Sequence, residues 1–186
     1  MRIRYNAPVI LSFTLLATVV LVVDQIAGGF VERYFACPPR IRAGDLLDYL
    51  RLFSYVLGHR NWQHLMSNFA FVLLIGPVLE EKYRSGPILL MLVVTALITG
   101  LLNVLLFTTG LMGASGIVFM LILLSSFTNI RSGEIPLTFI LVVVLFLAKE
   151  IIAGFSGDNI SQFAHILGGF LGSLFGFLFT RRPKKA

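Results

Sequence analysis

Six apolar segments divide this chain of 186 residues, and most are near the ~20 residues that a helix needs to cross hydrocarbon. They run roughly over 8–26, 62–79, 87–107, 115–128, 135–152 and 162–180. Charged residues make up 13% of the chain, where a soluble domain carries about 25%. The pattern predicts an all-α fold: one polytopic membrane domain over 1–186, a six-helix bundle whose solvent is the lipid bilayer. A net charge of +6 would suit nucleic acid, but much of it lies in basic residues flanking the apolar segments, so no nucleic-acid partner is expected. Cys37 is the single cysteine and forms no internal disulfide; it is expected in a loop before Pro38 and Pro39. Arg2 and Arg4 followed by an apolar run look like a signal peptide, yet no small-x-small cleavage site follows, so the run is expected to remain as the first span.

Six spans put both termini on one side. That side would hold Arg2, Arg4, Lys82, Arg84, Arg131, Arg181, Arg182, Lys184 and Lys185. The other side holds Arg33, Arg40, Arg42, Arg51 and Arg60 in one long loop, with Lys149 near a span end. The short-loop bias places the termini in the cytoplasm, 181–186 as a basic cytoplasmic tail and 28–61 as an outer loop. Within that loop, Leu46 to Phe53 is amphipathic and reads as an interfacial helix in the headgroups. The chain suits a bacterial inner membrane. The fourth segment is short: about 14 residues rise only ~21 Å, less than the ~30 Å of hydrocarbon. Its start should be sunk below one face, and the uncharged loop before it needs protein or a wet cavity around it.

At that sunken start stands Ser115, in Gly113-Ala114-Ser115-Gly116. Read alone, Gly113 and Gly116 permit a tight turn and close packing, and Ser115 is a helix cap. A serine at a helix start also has its own N–H directed outward, where it suits an oxyanion. His64 and Asn68 share one face of the second span at i, i+4, either as polar glue between helices or as donors to a ligand. His59 and Trp62 cluster with His64 at the outer end, where Trp62 alone reads as part of an interfacial belt. His165 lies a few residues into the sixth span, and Gly168, Gly172 and Gly176 follow at packing spacing. If the glycine face meets the fourth span, His165 reaches Ser115. No pair of histidines or cysteines has metal-ligand spacing, so neither a metal nor a cofactor is expected.

Together these residues resemble a rhomboid intramembrane serine protease over nearly the whole chain. The resemblance rests on His59-Arg60-Asn61-Trp62-Gln63-His64-Leu65-Met66-Ser67-Asn68, on Gly76 to Glu80, on Gly113-Ala114-Ser115-Gly116, and on Ala164-His165-Ile166-Leu167-Gly168 with Gly172 beyond. It implies Ser115 as nucleophile and His165 as general base, a dyad without an acid. It implies His64, Asn68 and the Ser115 N–H as the oxyanion hole. Arg51 lies where the family's first-loop Trp-Arg motif has its Arg, with Leu50 replacing the Trp. Phe119 stands where a Tyr often stacks on the base histidine. The implied substrates are transmembrane helices, reached from the outer face. The alternatives are a catalytically inactive rhomboid-like binder of transmembrane helices, and a small channel or transporter, which would need polar residues through the full membrane depth. The sequence sets no oligomeric state.

Overall fold

The computed structural model describes residues 4–127 and 159–179, with positions 137, 140, 141, 144, 145 and 148 between them. The described residues are all-helical: α1 (Pro8–Ala27), α2 (Phe30–Tyr34), α3 (Leu46–Ser54) continued by a 3₁₀ turn (Tyr55–Leu57), α4 (Trp62–Tyr83), α5 (Ser85–Leu106), α6 (Ser115–Phe127) and α7 (Asn159–Phe179). Four of these, α1, α4, α5 and α7, are long and apolar enough to cross a membrane; α6 is a shorter apolar helix. The expected fifth span, 135–152, falls outside the described residues except at the isolated positions, and so do Lys149 and the 181–186 tail. The count of six is therefore not read from the fold.

Each long helix buries one stripe and leaves the rest apolar and exposed, as lipid-facing helices do. In α1, Ile10, Phe13, Ala17, Val20 and Leu21 are buried, while Leu15, Leu16, Val19 and Ile26 are exposed. The α6 helix differs. Ile117, Val118, Phe119, Met120, Leu121, Leu123 and Leu124 are all buried, so it is covered nearly all round and forms the centre of the bundle. Its most extensive packing is against α7.

A buried carboxylate joins α1 to the bundle. Glu80, near the end of α4 and buried, accepts from the backbone N–H groups of Val9 and Ile10, each at 3.0 Å. Those are N–H groups of the first turn of α1, which have no partner within their own helix. Ser85 Oγ donates to the same carboxylate at 2.7 Å. A buried anion is thus held by a helix N-terminus and a hydroxyl. This is why α4 runs on to Tyr83 instead of stopping at Leu79, as the run of charges had suggested. Arg84, at φ 71, then turns the chain directly into α5.

The segment between α1 and α4 is a built structure. At the end of α1 the Gly28 N–H bonds the Asp24 carbonyl at 2.8 Å, and the Asp24 carboxylate accepts from Val31 N, starting the short α2 that the sequence reading had not separated. Helix α3 covers the expected amphipathic stretch, but its charged side is the buried one. Asp48, Arg51 and Leu52 face the protein, while Leu46, Tyr49, Leu50 and Phe53, at i, i+3, i+4 and i+7, are exposed. Asp48 is fully buried and binds Arg51 Nη1 at 2.9 Å and Arg42 Nε at 2.8 Å. An apolar stripe facing outward with its charges satisfied inward suits a helix lying against lipid. The backbone of α3 seats directly on α5: a Cβ at Gly100 would lie 2.1 Å from the Leu52 carbonyl oxygen.

Candidate active site

The loop from Phe107 to Ala114 carries the chain into α6, and backbone bonds from the segment between α1 and α4 hold it. Cys37 and Leu111 exchange both N–H···O bonds, at 2.9 and 3.1 Å, as an isolated antiparallel bridge. Gly113 N–H bonds the Tyr55 carbonyl at 3.1 Å, and Asn103 Nδ2 donates to the Thr109 carbonyl at 3.0 Å. Burial pushes the Cys37 thiol up to about 12, with the Asp48 charge adding to the shift, so at neutral pH it is an inert packing group. Most of this support for the serine loop was not visible in the sequence, because all of it but the Asn103 amide is made by main-chain groups.

Gly113 has φ 112, a left-handed value that disfavours any side chain. Space forbids one as well: a Cβ there would lie 2.7 Å from both Cε1 and Nε2 of His64, and 3.9 Å from Nδ2 of Asn68. The second-span imidazole and amide therefore converge on the backbone two residues before Ser115. Asn61 caps α4, its Oδ1 accepting from His64 N at 2.8 Å, and this fixes the turn that presents His64. Asn68 is buried and donates one N–H to the His64 carbonyl at 3.1 Å; a second hydrogen on the same nitrogen remains for another acceptor.

The glycine face of α7 meets α6. A Cβ at Gly168 would lie 2.0 Å from the Gly116 carbonyl oxygen, and one at Gly172 would lie 2.2 Å from that of Met120. Gly116 itself rests against the Ala164 carbonyl, and Gly176 is buried further along. The contact seats residues 164 and 168 against the turn that carries Ser115. One turn after Ser115, the Phe119 ring lies 4.3 Å from the His165 ring at 37°. Ser115, His64 and His165 are all partly exposed.

His59 is fully buried behind this group. Its ring meets His64 edge-on at 4.9 Å and Phe69 at 5.5 Å, and its Nδ1 lies 3.2 Å from the Leu57 carbonyl. A carbonyl only accepts, so Nδ1 carries the proton. Burial, helped by the neighbouring His64, pushes the His59 pKa down to about 4, which keeps it neutral. Arg51 is not part of this cluster; it is held in the ion pair with Asp48 on α3. A larger crevice of about 510 Å³, bounded by Phe13, Leu16, Phe53, Leu89 and Val93, is lined by no acid or base.

A family model described as Rhomboid domain matches residues 47–182. The chain belongs to the rhomboid family. Its relatives include the Rhomboid protease GlpG of Haemophilus influenzae, 24% identical over 73% of this chain and 72% of that protein. The Rhomboid protease GlpG of Serratia proteamaculans is 28% identical over 94% of this chain and 63% of its own length. Rhomboid-related protein 1 of Caenorhabditis elegans is 32% identical over 82% of this chain and 46% of its own. The chain thus spans about two thirds of the GlpG relatives and under half of the nematode one. With its apolar helices, this rhomboid is an integral membrane protein.

Proposed function

We propose that this rhomboid is an intramembrane serine protease that cuts transmembrane segments of other membrane proteins. Ser115 Oγ attacks the scissile carbonyl, and His165 takes its proton and returns it to the leaving amine. Asn68, His64 and the Ser115 N–H hold the oxyanion; each such donor typically contributes about 2.7–4 kcal/mol to the transition state. The α6 N–H groups suit that charge, because a first helical turn has no internal partners for them. Phe119 holds the His165 ring from below, and Gly113 and Gly116 keep the backbone close to His64 and α7. Water then hydrolyses the acyl-enzyme. A substrate helix has to unwind first, since its carbonyls are already bonded. The whole chain forms one membrane domain of six spans, both termini cytoplasmic in a bacterial inner membrane, with the site open to the outer face.

The observation that carries this reading is the packing of α7 on α6. Gly168 lies against the Gly116 carbonyl, and the Phe119 ring is 4.3 Å from His165, which puts that imidazole beside the turn bearing Ser115. The test is labelling with a fluorophosphonate together with cleavage of a single-span substrate. Ser115→Ala and His165→Ala are expected to lose both while keeping the fold. Full cleavage by folded Ser115→Ala would rule out the serine mechanism.

A further inference from the structure

Beside the candidate site, on the same end of the bundle, a polar crevice of about 320 Å³ opens between the end of α1, α2 and the turn before α4. Asp24, Glu32, His59, Arg60 and Met112 line it. It adjoins the catalytic cluster directly. Met112 precedes Gly113, and His59, which lines the crevice, has its ring 4.9 Å from the His64 ring.

The chemistry of its wall is one-sided. His59 is fully buried, and its Nε2 has no hydrogen-bond partner. With Nδ1 protonated toward the Leu57 carbonyl at 3.2 Å, that Nε2 is an acceptor awaiting a donor. Leaving such an atom unpaired costs free energy, so an orphan beside a cavity points to something that enters it. Asp24 stands in the last turn of α1, where the helix dipole disfavours an anion. Its Oδ1 accepts from Val31 N at 2.8 Å, and Oδ2 takes no part in that bond. Glu32 adds a second carboxylate from α2. Two carboxylate residues and His59 thus line the crevice with one cationic residue, the exposed Arg60.

We propose that this crevice is a subsite for a basic side chain, lysine or arginine, of the polypeptide cleaved at Ser115. The inference rests on the proteolytic reading above and adds to it where the substrate is held: Glu32 and Asp24 balance the cation's charge, and His59 Nε2 accepts one of its N–H groups. Asp24, Glu32 and His59 are then specificity-determining residues.

The test uses the full chain in liposomes and a cleavable single-span substrate that carries Lys, Ala or Glu in turn at each position flanking the scissile bond. At one position Lys is expected to exceed Glu by about tenfold in kcat/KM, chiefly through KM, as one charge-assisted hydrogen bond supplies. Glu32→Lys should invert that ratio, and Arg60→Ala should enlarge it. The ratio is read within each variant, so a general loss of activity does not affect it. A cleaving wild-type enzyme with no charge preference at any position overturns the subsite and leaves the protease standing. An unchanged ratio in Glu32→Lys does the same. If the wild-type chain neither labels with fluorophosphonate nor cleaves any of the substrates, both proposals fall together.

Discussion

Gly168→Ala should disable the site from a distance, and the structure sets the scale. The added methyl would lie 2.0 Å from the Gly116 carbonyl oxygen, where ordinary contact begins at 3.4 Å. The obstacle is backbone, which cannot rotate aside, so α7 must move away from α6 by about 1.4 Å at that level. Overpacking of this kind costs about 1–3 kcal/mol in stability. The catalytic effect should be larger in proportion, because a displacement of about 1 Å between reacting groups costs on the order of a hundredfold in rate. His165 lies one turn from Gly168 and would be carried away from Ser115. The assay is paired: cleavage of a single-span substrate against the thermal midpoint in detergent, with Gly86→Ala as control, since a Cβ there meets nothing within 4 Å. Gly172→Ala, at 2.2 Å from the Met120 carbonyl, should lose comparable stability and less activity, being a turn further from His165. Wild-type cleavage and melting in Gly168→Ala would refute the claim that this contact sets the distance between the proposed base and nucleophile.

Glu80→Ala should lower the thermal midpoint markedly, because it strips two N–H groups of α1 and the Ser85 hydroxyl of one shared acceptor; hydrogen bonds to a charged group contribute about 1.5–3 kcal/mol each, and Ser85→Ala should cost clearly less. Asp48 is held down to about 2, first by the hydrogen bond from Arg42, against the opposing effect of burial. A lowered acid pKa stabilises the fold above the ordinary value of 3.8, and that stability is lost as pH falls toward 2. Acid titration followed by proteolysis of the outer loop should show this step, and Asp48→Asn should remove it. His59 has its pKa lowered from 6.5 to about 4, so the unfolded chain binds the extra proton in that interval; stability should rise with pH from 4 to 6.5, and His59→Phe should flatten the profile.

The spans were legible because lipid leaves a helix few ways to be written. Predicted and observed limits of α1, α5 and α6 agree within two residues, and the shortness of α6 was evident from its length alone. The glycine face after His165 was also readable, since its spacing reports close packing whatever the partner helix. Four features were not. Glu80 looked like the polar end of a span, because nothing local shows that a carboxylate is bound by another helix's first turn. The faces of α3 were readable as amphipathic, but their sense was not: Asp48 and Arg51 satisfy each other inside, so the charges turn inward and Leu46, Tyr49, Leu50 and Phe53 turn out. Arg51 was expected to support the catalytic group, and its ion pair ties it to α3. The subsite at Asp24 and Glu32 gave no signal, because two acids eight residues apart become neighbours only after the turn at Gly28 and Gly29.

The join between Cys37 and Leu111 uses only amide groups. Side-chain replacement at either position leaves those donors and acceptors in place, proline excepted. This join in the segment leading to Ser115 is therefore insulated from side-chain changes at Cys37 and Leu111, and the surface around it is free to diversify in charge and shape. Such changes leave the anchorage of Ser115, the proposed nucleophile, as it is.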